Sequence, residues 1–105
     1  MSFTIHDLER IIADRAGADA GKSYTKSLLE SGVARVGKKF GEESFEAVIA
    51  AVSGDRPALT AEAADVLYHL LVLLRVGDVS LDEVMAVLES RTARSGLDEK
   101  ASRKS

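Results

Sequence analysis

The stretch "VLYHLLVLL", Val66 to Leu74, restricts the fold of this chain more than any other feature. Read as a helix, it is apolar on almost every side rather than along one stripe, so it belongs at the centre, covered by several helices or by a second subunit. It is too short to cross a bilayer, which takes about 20 apolar residues, and it contains His69. No alternating apolar run bounded by turns offers it a sheet to join, and no internal repeat is evident. A central helix therefore calls for other helices around it.

The remaining sequence supplies them. In "TIHDLERIIADRA" the residues Ile5, Leu8, Ile11 and Ile12 fall on one helical stripe, with Thr4 placed as N-cap. "AGADAGKS" interrupts the pattern, and "YTKSLLESG" reads as a short second helix that Gly32 ends. A third runs from about Val33 to Val52, with Val36, Phe40, Ala47 and Ala51 on or near one face and Val48, Ile49 and Val52 widening it. Inside it, Gly37 and Gly41 each cost about 1 kcal/mol relative to alanine; close helix packing or the approach of a ligand would account for them. "SGDRP" is a turn, after which Thr60 is expected to cap the fourth helix, "TAEAADVLYHLLVLLRVG". Ser80 and Glu83 have the spacing of a capping box and open a fifth helix, "SLDEVMAVLESRTA". The expected fold is all-α, about five helices in one domain over residues 1–94, with a polar, flexible tail over 95–105.

Composition excludes several functions. A chain of 105 residues supports one modest core, and oligomerisation would help to stabilise it. The net charge of -3 argues against a general nucleic-acid binder, since phosphate neutralisation needs a basic field. The absence of cysteine rules out disulfides, thiolate metal sites and cysteine nucleophiles, and is compatible with a reducing compartment. "MSFTIHDLER" lacks the features of a signal peptide. A cytoplasmic protein, with neither membrane nor nucleic acid as partner, is the expectation.

Carboxylates carry the functional signal. Glu43 and Glu46 are three residues apart on the third helix, as are Glu62 and Asp65 on the fourth, so each pair projects to one side of its helix. The short connection through Pro57 favours antiparallel neighbours, which would bring the pairs together. Glu42 crowds the same turn as the first pair. Two explanations stand. The acids form a solvated face, or they converge and a hard divalent cation compensates their repulsion.

The combination "KKFGEESFEAVIAA", "EAADVLYHLL" and "RSGLDEKASR" resembles the all-α nucleoside triphosphate pyrophosphohydrolases, the group of the MazG proteins and dimeric dUTPases, and within it the phosphoribosyl-ATP pyrophosphohydrolases. The similarity extends over nearly the whole chain. It implies a MazG-like helical bundle completed by forming a homodimer or higher homo-oligomer, acting on phosphoribosyl-ATP in histidine biosynthesis. It implies Mg2+, with Mn2+ as a substitute, held by Glu43, Glu46, Glu62 and Asp65, and hydrolysis between the α- and β-phosphates. Glu42, Glu43 and Glu46 are the candidates for catalytic work, Glu42 as a ligand of a second metal, a water-orienting group or a proton acceptor. Which carboxylate serves as base stays open.

Basic residues are candidates for the substrate's phosphates. Lys39 lies four residues before Glu43, where it either reaches a phosphate or makes an intrahelical ion pair. Lys38, Arg35 and Arg75 are further candidates, each with a plain surface role as its alternative; Arg75 also complements the end of the fourth helix. His69 reads as a hydrogen-bonded core or interface residue and His6 as a surface one. Tyr68 either packs or stacks on a base. Two other functions remain for this sequence: a house-cleaning pyrophosphohydrolase of non-canonical nucleotides, and a helical dimerisation module without activity.

Overall fold

The computed structural model describes residues 2–17 and 23–93, which form α1 (Ile5–Ala16), α2 (Tyr24–Glu30), α3 (Val33–Val52), α4 (Arg56–Val76) and α5 (Leu81–Thr92). No strand occurs among the described residues, and the all-α expectation holds. The tail expected over 95–105 lies outside them.

Local chemistry sets the helix ends. The Thr4 hydroxyl accepts from the Asp7 amide while the Asp7 carboxylate accepts from the Thr4 amide, and Ser80 and Glu83 repeat this reciprocal box at α5. Gly32 joins α2 to α3 at φ 96°, ψ 162°, a conformation essentially reserved for glycine. The cap of α4 differs from the sequence expectation. Asp55, not Thr60, caps it, its carboxylate accepting from the Ala58 amide at 3.0 Å. Pro57 lies inside the first turn, where its missing N–H is one the helix would leave unpaired anyway, so the helix starts before the proline. The Thr60 hydroxyl instead donates back to the Arg56 carbonyl at 2.9 Å.

Packing centres on the α3–α4 hairpin. The two long helices run antiparallel through the connection at residues 53–55, and α4 also packs against α1 and α2. Ile12, Leu28, Val36, Leu71, Val72 and Leu81 form the core, one or two from each helix, with Ile5, Leu8, Tyr68 and Leu74 packed around them. Leu81 brings in the start of α5, where Glu9 of α1 accepts from the Leu81 amide at 2.8 Å and His6 lies 3.2 Å from Asp82. Within the chain Gly37 and Gly41 are not packing glycines, because a Cβ at either would meet nothing within 4 Å.

One side of the hairpin is left uncovered. Phe45, Val48, Ile49 and Val52 of α3 are each about half exposed or more, Val52 at 83%, and Leu67 and Leu59 of α4 are exposed as well. The radius of gyration is 16.1 Å, against about 13 Å for a compact domain of this length. The α4 helix is long and apolar enough to pass a length-and-hydropathy test for a membrane span. Glu62 and Asp65 on it, with Glu43 brought against them, would be costly facing lipid.

Candidate active site

Antiparallel pairing of α3 and α4 places the two acidic segments opposite each other. One carboxylate oxygen from each of Glu43, Glu62 and Asp65 lies within 4.8 Å of the others. Glu46, one turn along α3, also faces Glu62 closely enough for its charge and hydrogen bonding to act on it. The pairs seen in the sequence therefore meet. Glu43 and Glu62 are half-buried, whereas Asp65, Glu46 and Glu42 are exposed. Glu42 and Glu46 both lie outside the three oxygens that converge within 4.8 Å, although Glu46 is among the expected ligands.

The electrostatics of this group are those of crowded acids. A hydrogen bond shared with the Glu43 carboxyl, partial burial, and the negative charges of Glu46 and Glu43 push Glu62 up to about 7 from 4.5. Its Oε2 is buried and has no hydrogen-bond partner. Orphaned buried acceptors of this kind are rare and call for a donor or a cation. The donor set is all carboxylate oxygen, which suits magnesium or manganese and no soft metal. The residues present thus fit a hard divalent ion.

The basic candidates separate. Lys39 is half-buried on α3, one turn before Glu43, and makes no ion pair among the described residues, where such pairs are limited to Arg10–Asp7 and His6–Asp82 apart from the contacts of Arg91. The intrahelical pair open to Lys39 on sequence grounds is not formed. Arg35 and Lys38 are exposed on the same helix. Arg75 is not brought to the carboxylates of its own chain. It lies ten residues beyond Asp65, about 15 Å along α4, and lines a separate cavity of about 410 Å³ with Glu9, Arg10, Ile12, Asp78 and Ser80.

A family profile described as phosphoribosyl-ATP pyrophosphohydrolase matches residues 5–92. The chain belongs to this family. It is 57% identical over 103 residues to a phosphoribosyl-ATP pyrophosphatase of Methylobacterium radiotolerans, covering 98% of this chain and 96% of that protein. It is 56% identical over 103 residues to one of Rhizobium johnstonii, with the same coverage. A phosphoribosyl-ATP pyrophosphatase 1 of Bradyrhizobium diazoefficiens is 57% identical over 102 residues, 97% of this chain and 96% of that protein.

Aromatic residues flank the carboxylates. His69 is buried and its Nδ1 donates to the Asp65 carbonyl at 2.8 Å, as expected of a hydrogen-bonded core residue. Tyr68 packs edge-on against it and also lies against Tyr24 of α2. Sequence reasoning does not single out Tyr24. One aromatic residue after a cap is an ordinary event, and its pairing with Tyr68 depends on the crossing of α2 and α4.

The raised Glu62 group has a consequence for the metal-free protein. Folded Glu62 keeps a proton that the unfolded chain has already released, so the stability this group contributes is fully present below about pH 4.5 and is lost as pH rises through about 7. In excess chelator, the urea midpoint of the wild-type protein is expected to drop between about pH 5 and about pH 8. Glu62→Gln should remove most of that drop. Equal drops in the two proteins would show that Glu62 is not the group responsible.

Proposed function

We propose that this chain hydrolyses phosphoribosyl-ATP to phosphoribosyl-AMP and pyrophosphate, the second step of histidine biosynthesis, at a metal site built from Glu43, Glu46, Glu62 and Asp65. The observation that carries the proposal is the meeting of Glu43, Glu62 and Asp65 oxygens within 4.8 Å in a member of this family. Magnesium is the resident ion and manganese its substitute. When bound, such an ion neutralises the phosphate charges and supplies Lewis-acid polarisation at the scissile anhydride.

The chain's own residues do the rest. The four carboxylates would hold the ion, and the half-buried Lys39, without an ion pair among the described residues, offers its ammonium to a phosphate oxygen beside them. Lys38 and Arg35, exposed on the same helix, add positive charge for the approach of a polyanionic substrate. Attack of water at the α–β anhydride breaks the bridging P–O bond and releases pyrophosphate, while the water's proton passes to a carboxylate. Glu42, beside Glu43 in the sequence, is assigned that task or the orienting of the water. Arg75 serves a substrate only across a subunit boundary, given its position at the far end of α4.

A second copy of the chain completes the bundle. The exposed strip of Phe45, Val48, Ile49 and Val52 borders the turns that carry Glu43 and Glu46, so the covering subunit also closes one side of the active site.

Chelation should abolish pyrophosphate release and magnesium should restore it. With the metal supplied, Glu46→Gln and Asp65→Asn are expected to lose at least about a hundredfold in turnover, while Glu89→Gln on α5 stays near wild type. Near-normal turnover in both of the first two variants would remove these acids from the mechanism. The assembly is checked separately. Sedimentation at micromolar concentration should give a dimer or larger species, and Ile49→Lys, at a position 49% exposed in the single chain, should sediment as a folded monomer. A wild-type protein that is monomeric and fully active would contradict the proposed closure of the site.

A further inference from the structure

We propose that Tyr24, backed by Tyr68, is the platform on which the adenine ring of the substrate stacks. The inference rests on the carboxylate site proposed above and adds the residue that holds the other end of the nucleotide.

Tyr24 opens α2 directly after its N-cap, Ser23, and is 56% exposed, so it contributes little to the core. Its ring pairs with that of Tyr68 in a near-parallel, offset arrangement, with centroids 6.5 Å apart and planes inclined by 21°. Tyr68 is fixed in two ways. Its hydroxyl is 2.6 Å from Thr25 Oγ1, Thr25 being 1% exposed, and its ring meets His69 edge-on at 5.0 Å and 89°. His69 is itself tied to the Asp65 carbonyl at 2.8 Å. The result is a pair of aromatic rings supported from the protein side, with the outer ring open to solvent.

Its position matches the order of parts in a nucleotide. Tyr68 follows Asp65 by three residues, so the aromatic pair begins about one helical turn, ~5 Å, from the carboxylate group. Phosphates bound at the carboxylates would leave one ribose to span before the base reaches the rings. A purine offers a π-face for such a stack without any hydrogen-bond readout. Phe45, the other exposed ring near the acids, is not comparable, because it is continuous with the exposed apolar strip of Val48, Ile49 and Val52 assigned above to the proposed subunit contact.

The test uses two probes that divide the ligand. AMP carries the base and its phosphate, whereas inorganic pyrophosphate carries phosphates alone. Their dissociation constants are measured by calorimetry, with magnesium present, for the wild type, Tyr24→Ala and Tyr24→Phe, together with KM and kcat for phosphoribosyl-ATP. Tyr24→Ala should weaken AMP binding and raise KM by about tenfold while pyrophosphate affinity changes less than about twofold; Tyr24→Phe should stay close to wild type. Because the chain contains no tryptophan, Tyr24→Trp gives an independent reading: its fluorescence should respond to AMP and not to pyrophosphate. Unchanged AMP affinity in Tyr24→Ala, equal weakening of both probes, or loss of the dimer with AMP binding intact would overturn the proposal and leave Tyr24 as a structural residue. Failure of the wild type to release pyrophosphate from phosphoribosyl-ATP would refute the activity instead, and the AMP titrations would still decide the role of Tyr24.

Discussion

Mutual repulsion among carboxylates at the seam of α3 and α4 is the constraint on which the rest of the structure depends. Folding the hairpin brings Glu43 against Glu62 and Asp65, with Glu46 beside them, and no lysine or arginine is paired with any of the four among the described residues. This crowding raises the Glu62 carboxyl to about 7, which favours its protonated form when no cation is bound. The hairpin's apolar packing must hold that arrangement together. Val36 and Val72, both fully buried, together with Leu71, provide it toward the N-terminal half of α3 and the C-terminal half of α4.

Apolar surface is distributed unequally around this seam. On one side α1, α2 and the start of α5 close over the core, joined by the Glu9 cap at Leu81 and by the Thr25–Tyr68 contact. On the other, Phe45, Val48, Ile49 and Val52 remain in water. A single 105-residue chain has too few helices to cover both sides of two helices as long as α3 and α4. On the proposed function, this unequal cover is what links the carboxylate site to assembly.

Much of this was readable from residue spacing because the decisive features are local. Three-residue spacing puts Glu62 and Asp65 on one side of α4, and a short connection makes α3 and α4 antiparallel, so the meeting of the acidic pairs follows from helix geometry. The buried, hydrogen-bonded His69 was readable for the same reason, since its partner is one turn away. Features set by helix crossings were not. Tyr24 meets Tyr68 and Glu9 caps α5 only because α1 and α2 cross α4 as they do. The start of α4 lies before the expected cap at Thr60, because proline fits in the first turn of a helix and Asp55 takes the cap. Arg75 shares a helix with the acids, but helix rise carries it far beyond their reach.

The central claim is that a divalent cation takes the place of the proton that the crowded carboxylates otherwise retain. Proton release on magnesium binding measures that exchange directly, by calorimetry in buffers of different ionisation enthalpy across a range of pH. The account predicts release of close to one proton per ion bound about one pH unit below the Glu62 value of about 7, declining towards none about one unit above it. Magnesium binding with no proton released at the lower pH would contradict it.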